Sequence, residues 1–301
     1  MATTTPMHRS EGRSLGRNDL IASYYTLSGA PVGQPARFSF EERVKAAAEA
    51  GFAALGLTVE DYGACRDRGL SPADLRRIPA DCGITVAELE FLTHWWHDGE
   101  QGRRARLIEE QLYAAADAFG ARHMNVGSIG GRGTLPALEV VAEHFAALCD
   151  RAARHGLRVA LEFLPWSDIS DAGTAWAIVR QAARANGGIL IDSWHYFRGA
   201  ADPAQVRAIP AEHFCAIQFD DADAVRIGGM LEDTTQRRRL PGEGAFDLVG
   251  FVRMLDEIGV QAPISVEIIS TAQQARPLAE AARLAHETTR AVLAQARAGV
   301  S

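Results

Sequence analysis

An eightfold alternation runs through this chain: short apolar runs, each followed by a longer amphipathic stretch. The spacing predicts strands over Ile21–Tyr25, Phe52–Leu57, Ile84–Leu92, His123–Val126, Leu157–Phe163, Gly188–Asp192, Phe214–Phe219 and Pro263–Ile268. Between them it predicts helices over Phe40–Ala50, Ser71–Ala80, Gln101–Phe119, Leu135–His155, Asp171–Ala185, Asp202–Ala208, Phe246–Ile258 and Pro277–Ala298. Runs such as Val159-Ala160-Leu161 are apolar on successive residues, as in a strand with both faces covered. Glycine follows several helices (Ala50-Gly51, Phe119-Gly120, Ile258-Gly259), where it accepts the left-handed conformation that ends a helix. Eight such units without a break in composition are expected to close as one α/β domain, a single (β/α)8 TIM barrel over residues 20–301, behind a flexible tail over 1–19. A doubly wound open sheet is the rival, but no GxGxxG follows the first strand.

Composition narrows the function. The formal net charge is −7, without the basic surplus that a nucleic-acid binder shows. No apolar run approaches the roughly 20 residues that span a bilayer. The N-terminus carries no apolar stretch of the secretory kind. Cys65, Cys82, Cys149 and Cys215 are scattered, with no CxxC, and read as thiols of a reducing, cytoplasmic compartment. Lys45 is the only lysine among 31 basic residues. An imine mechanism would have to use it, and it lies in an amphipathic helix beside Glu41 and Glu42. The expected partner is a small molecule, with no nucleic acid and no membrane; homo-oligomerisation stays open.

A barrel of this kind works at the C-terminal ends of its strands. Glu162, Asp192, Gln218 and Glu267 come from four successive predicted strands, and each interrupts an apolar run near its end. Buried carboxylates cost several kcal/mol unless paired, and converging ones repel. One divalent cation removes both problems, and an all-oxygen donor set suits Mn²⁺ or Mg²⁺, with Co²⁺ also possible. A single strand-end acid serves equally well in a salt bridge or a helix cap; four in register point to the metal. His195 follows Asp192 closely enough to project over the same pocket, as an acid–base or substrate-contacting group. Tyr24, Glu90 and Trp194 fall at strand ends as further substrate contacts. His94 and Trp96 follow strand 3 as an aromatic wall for a sugar-like or cyclic substrate, with core packing as the alternative. Arg198 suits a carboxylate or hydroxyl of the substrate, with a surface role equally open.

These residues carry a resemblance. Leu161-Glu162, Ile191-Asp192-Ser193-Trp194-His195, Ile217-Gln218-Phe219-Asp220-Asp221, Pro241-Gly242-Glu243-Gly244 and Val266-Glu267 resemble, in order, the xylose isomerase-like TIM barrel superfamily of sugar phosphate isomerases and epimerases. In the ketose 3-epimerases of that group, the counterparts of Glu162, Asp192, Gln218 and Glu267 bind the metal. The two glutamates also exchange protons with the substrate there, and the counterpart of His195 touches a substrate oxygen. Most members carry His where this chain has Gln218. Amide ligation at that position is similar to dehydratases of the group, such as 3-dehydroshikimate dehydratase.

The resemblance implies a manganese- or magnesium-dependent isomerase or epimerase of carbohydrate metabolism. It would remove a proton α to a carbonyl, through an enediolate, with Glu162 and Glu267 as the proton-transfer groups and His195 on the substrate oxygen. A lyase that dehydrates a cyclic keto-polyol, dehydroshikimate- or inosose-dehydratase-like, shares that first step and is the alternative. The substrate is expected to be unphosphorylated. No glycine follows strand 8, and the glycines after strand 7 flank Glu243, which repels phosphate. Arg237, Arg238 and Arg239 precede Pro241 and can line a loop that meets an anion; Arg239 is assigned to the substrate.

Overall fold

The structure, a computed structural model, describes residues 14–133 and 135–298. Its strands are β1 (Leu20–Ala22), β2 (Ala54–Thr58), β3 (Thr85–Leu92), β4 (His123–Val126), β5 (Arg158–Glu162), β6 (Gly187–Asp192), β7 (Phe214–Phe219) and β8 (Ile264–Val266). They pair in sequence order, all parallel, and β8 returns to β1 to close the barrel. Every residue of β2, β4, β6, β7 and β8 is buried. Interior side chains face one way and the helical shell the other, so the sequence shows continuous apolar runs in place of alternation.

Local signals fix the helix starts. Ser39 and Ser71 each accept the backbone N–H of the third residue on, and Glu42 and Asp74 return the bond to the serine N–H. Such a cap contributes about 1 kcal/mol. The boundaries shift where a polar side chain overrides the apolar period. β1 stops at Ala22, and Tyr24–Ser28 turns into a short helix. There Thr26 Oγ1 donates to the Val266 carbonyl (2.7 Å) and accepts the Ile268 N–H (2.8 Å), pulling the chain across to β8. Four more helices, Val59–Asp67, Ser193–Arg198, Met230–Gln236 and Thr271–Ala275, lie in the strand-end loops. Three of them are capped by Thr58, Asp192 and Ser270.

The first thirteen residues of the expected tail lie outside the described residues. Leu15, within that expected tail, is buried with Ile21, Ala54 and Ala87, so packing against the barrel begins before residue 20. Inside, Glu88 is fully buried and takes a hydrogen bond from Ser265 Oγ (2.9 Å), with His123 Nε2 at 3.3 Å. Gly56 makes room for it, since a Cβ there would meet Glu88 Oε1 at 2.8 Å. Among the described residues, no helix is long and apolar enough to cross a membrane.

Candidate active site

The strand ends of β5 to β8 bring buried polar groups to one place. Glu162 ends β5, Asp192 ends β6, Gln218 sits one residue before the end of β7, and Glu267 follows β8 directly. All four are at most 5% exposed. Asp192 also caps the helix Ser193–Arg198: its Oδ1 accepts the His195 N–H at 3.0 Å. That cap turns His195 back over the site, and its Nε2 lies 3.1 Å from Glu162 Oε1. Donor atoms of Glu162, Asp192 and His195 lie within 4.8 Å of one another. The rings of Trp166 and Trp194 stand edge-on to His195, each at 5.3 Å.

Glu267 is held from three sides. Ser23 Oγ and Gln218 Nε2 both donate to its Oε1 at 2.9 Å. Arg238 Nη1 donates to its Oε2 at 3.1 Å. The same nitrogen donates to Asp192 Oδ2 (2.7 Å) and to Asp220. Thr234 fixes the rest of the guanidinium through its carbonyl (3.0 Å) and its hydroxyl (2.9 Å). Asp220 is anchored in turn by Ser193 Oγ at 2.7 Å.

Burial is the largest influence on these carboxyls and holds Glu90, Glu162, Asp220 and Glu267 above the ordinary range. Asp192 goes the other way: burial raises it, but the Arg238 charge and then His195 outweigh burial and leave it below the usual value. Burial opposes the charge of Arg238, and Asp192, Asp220 and Glu267 keep it charged.

A divalent cation fits this donor set. Gln218 Oε1 is buried with no hydrogen-bond partner while its Nε2 is engaged. An orphaned buried carbonyl costs about 1–3 kcal/mol, and a hard cation removes that cost. Four buried acids (Glu162, Asp192, Asp220, Glu267) face one guanidinium, and a cation would let the three that burial holds above the ordinary range ionise.

Beside the cluster opens a cavity of about 420 Å³. Four arginines (Arg237, Arg238, Arg239, Arg276) line it against two acids (Asp223, Glu243). Arg238 belongs to both the cavity wall and the carboxylate cluster.

A family model described as xylose isomerase-like TIM barrel matches residues 44–290. The chain belongs to the xylose isomerase-like TIM barrel family. Among curated relatives, the 3-dehydroshikimate dehydratase of Pseudomonas aeruginosa is 31% identical over 242 residues, covering 78% of this chain and 37% of the relative. The inosose isomerase of Bacillus velezensis is 30% identical over 156 residues, 51% of this chain and 55% of the relative. The chain thus spans about a third to a half of the length of these relatives. Among solved structures, the IolI protein with a bound zinc atom superposes with a TM-score of 0.82 at 20% identity, covering 92% of this chain and 98% of that one. At that identity it shows the shared barrel.

Seen within this family, the expected site residues divide. Glu162, Asp192 and His195 come together, whereas Gln218 and Glu267 are bonded to each other. Glu90 is buried near Glu267, with Ser23 Oγ at 3.5 Å. Trp194 is fully buried, with the Arg198 and Arg238 guanidiniums each 5.9 Å from its ring. Tyr24, expected at the pocket, lies instead under the Arg43 guanidinium (5.2 Å), where burial pushes its phenol up to about 12. Its neighbour Tyr25 faces Glu90 and Glu267.

Trp96 is buried between Trp95 (4.8 Å) and His97 (4.9 Å), and His94 packs on His97 at 5.0 Å. Arg198, expected to clamp the substrate, is committed to Asp233 (3.1 Å) and to the Asp223 carbonyl (2.8 Å). Arg239, expected to meet the substrate, is 45% exposed and paired with Asp223, while its neighbour Arg238 turns inward.

Ser23 and Trp166 were not singled out by the sequence, Asp220 appeared only within a quoted motif, and Arg238 only as one of three arginines before Pro241. Ser23 carried a readable signal, a small polar residue that interrupts the run predicted for the first strand. Three consecutive arginines gave no sign of which one turns in.

Proposed function

We propose that this chain is a divalent-cation-dependent dehydratase of an unphosphorylated cyclic keto-polyol that carries a carboxylate, of the dehydroshikimate type. The observation that carries the reading is Arg238, shared between the buried carboxylate cluster and the arginine-lined cavity. A substrate with its ketone at the cluster would turn its far end past Arg238 toward the cavity. In that wall four arginines, each already partnered, outnumber two acids, and the surplus positive charge suits a carboxylate, which an inosose or a ketohexose does not carry. Two acids in the same wall disfavour a doubly charged phosphate. The amide at 218 and the identity to the Pseudomonas dehydratase support the same reading.

The cation would be held by Glu162, Asp192, Glu267 and Gln218 Oε1, and when bound it supplies Lewis acidity toward the ketone oxygen. The remaining steps belong to the chain's own groups. Glu162 takes the proton from the hydroxyl-bearing carbon next to the ketone. His195, 3.1 Å from Glu162, passes a proton to the β-hydroxyl, which leaves as water. Trp166 and Trp194 wall His195 and exclude solvent from it. Loss of one water and enolisation convert a dehydroshikimate into a catechol carboxylate.

Isomerisation of a keto-polyol is the second reading. It has its own support in the two glutamates that bracket the cluster and in the identity to inosose isomerases. Incubating the chain with Mn²⁺, Mg²⁺ or Co²⁺ and dehydroshikimate, an inosose or a ketohexose separates the two. An aromatic ultraviolet band from dehydroshikimate alone is the expected outcome. Faster conversion of an inosose or ketohexose to an isomer, without such a band, would overturn the proposal.

A further inference from the structure

The two glutamates of the cluster are not equivalent. Glu267 accepts hydrogen bonds on both oxygens: Ser23 Oγ and Gln218 Nε2 on Oε1, Arg238 Nη1 on Oε2. Ser23 and Gln218 are at most 1% exposed, so no water competes for these bonds. Glu162 has one close partner, His195 Nε2 at 3.1 Å from Oε1, and among the described residues no hydrogen bond reaches its Oε2. A carboxylate with three donors fixed on it is well oriented and poorly placed to pick up a proton from carbon. Three of its four lone-pair positions are met by protein donors, so the one left on Oε2 can serve a cation or a proton but not both, and moving the group breaks three buried bonds.

Gln218 is decisive because it is an amide. One side-chain end donates to Glu267 while the other, Oε1, stays free and buried. We infer that Ser23 and Gln218 are positioning residues that lock Glu267 as a fixed ligand, leaving Glu162 with His195 as the sole proton-transfer pair of the site. The inference rests on the dehydratase reading for its chemistry, since both reactions begin by taking the same α-proton.

The consequence concerns reaction type. Inverting an α-carbon needs a proton taken from one face and returned to the other, and so two competent groups. Eliminating a β-hydroxyl needs the carbon-bound proton taken on one face only. In this chain the clamp on Glu267 removes the second group. The α-C–H bond breaks toward Glu162 and its electron pair forms the enolate. The enolate either expels hydroxide, protonated to water, or recovers a proton on the face it lost one from.

Two measurements test this. The first needs no substrate: Mn²⁺ is titrated calorimetrically into the chelator-stripped full chain. Ser23→Ala is expected to weaken Mn²⁺ binding about tenfold, because Glu267 loses its orientation, and Ser23→Thr to restore it. Binding by Ser23→Ala within twofold of the parent chain would overturn the clamp, since a serine that merely fills space leaves affinity unmoved.

The second follows an inosose, which cannot aromatise, in deuterium oxide with the Mn²⁺-loaded chain. The expected result is α-deuterium with retained configuration and no α-epimer, whereas Gln218→His, which no longer holds Glu267 through an amide, forms the epimer. An epimer formed by the parent chain overturns the inference even if dehydroshikimate is dehydrated. Failure to dehydrate dehydroshikimate, with Mn²⁺ affinity still responding to Ser23→Ala, removes the proposed activity and sustains the clamp.

Discussion

Replacing Arg238 with Met keeps the apolar stem and deletes every donor. The side chain is 2% exposed, and its Nη1 contacts Asp192, Asp220 and Glu267 at once. Taking one partner from a buried ion pair costs about 3–5 kcal/mol, because the remaining charge is left desolvated. Three acids share this one partner, so the upper part of that range applies until they protonate. For a chain of 301 residues, with an unfolding entropy of about 2.1 cal/mol/K per residue, each kcal/mol is about 1.6 °C, so a loss of about 4–5 kcal/mol lowers Tm by roughly 6–8 °C. The assay is urea unfolding of the parent chain and Arg238→Met at neutral pH, first with a chelator and then with saturating Mn²⁺. A cation bound only by the folded state adds about 2.7 kcal/mol at a hundredfold excess over Kd. It binds more tightly where Arg238 no longer offsets the carboxylates, so the gap between the two proteins should narrow with Mn²⁺. A loss under about 1 kcal/mol with chelator, or a gap that widens with Mn²⁺, would refute this electrostatic reasoning.

Asp221 takes the N–H groups of Ala222, Gly242, Gly244 and Phe246 at 2.9–3.0 Å, and Asp221→Ala should cost about 3 kcal/mol or more by urea unfolding, because these donors lose their acceptor together. Of the four cysteines only Cys82 is exposed, while burial pushes the thiols of Cys65, Cys149 and Cys215 up. A colorimetric thiol reagent should therefore titrate a single fast group, lost in Cys82→Ser. Burial raises Glu90, Glu162, Asp220 and Glu267, so the metal-free fold binds protons that the unfolded chain has released. Its stability should fall as pH rises from about 5 toward 8; the lowered Asp192 acts oppositely, contributing above its unfolded pKa and losing that contribution as pH falls through its folded one. Urea midpoints across that range with chelator should slope downward, and saturating Mn²⁺ should flatten or reverse the slope.

The barrel was legible because its signal is repeated and apolar. Eight strand runs with glycine after many of the helices leave few other closures, and β4 and β7 coincide with the predicted His123–Val126 and Phe214–Phe219. The missed helices are short, and three of the four in the strand-end loops start from a side-chain cap. Val59–Asp67 and Ser193–Arg198 start from Thr58 and Asp192, groups that a hydrophobic period does not register. At the site, Glu162, Asp192, Gln218 and Glu267 were readable as polar breaks in apolar strands. Their partners were not. Ser23 reaches Glu267 across 244 positions of sequence, and Arg238 arrives on a loop whose fold is set by Thr234 and Asp221. Tyr24 and Tyr25 were indistinguishable as adjacent tyrosines until the turn after Ala22 sent one toward Arg43 and the other toward Glu90.

Everything proposed for the chemistry depends on a single divalent ion held by the strand-end oxygens. Elemental analysis of the purified chain and of Asp192→Asn, each after equilibration with Mn²⁺ and removal of free metal, tests this most directly. The expected result is one equivalent of metal per parent chain and almost none in Asp192→Asn. A parent chain that retains no metal, or an equal amount in both proteins, would contradict it.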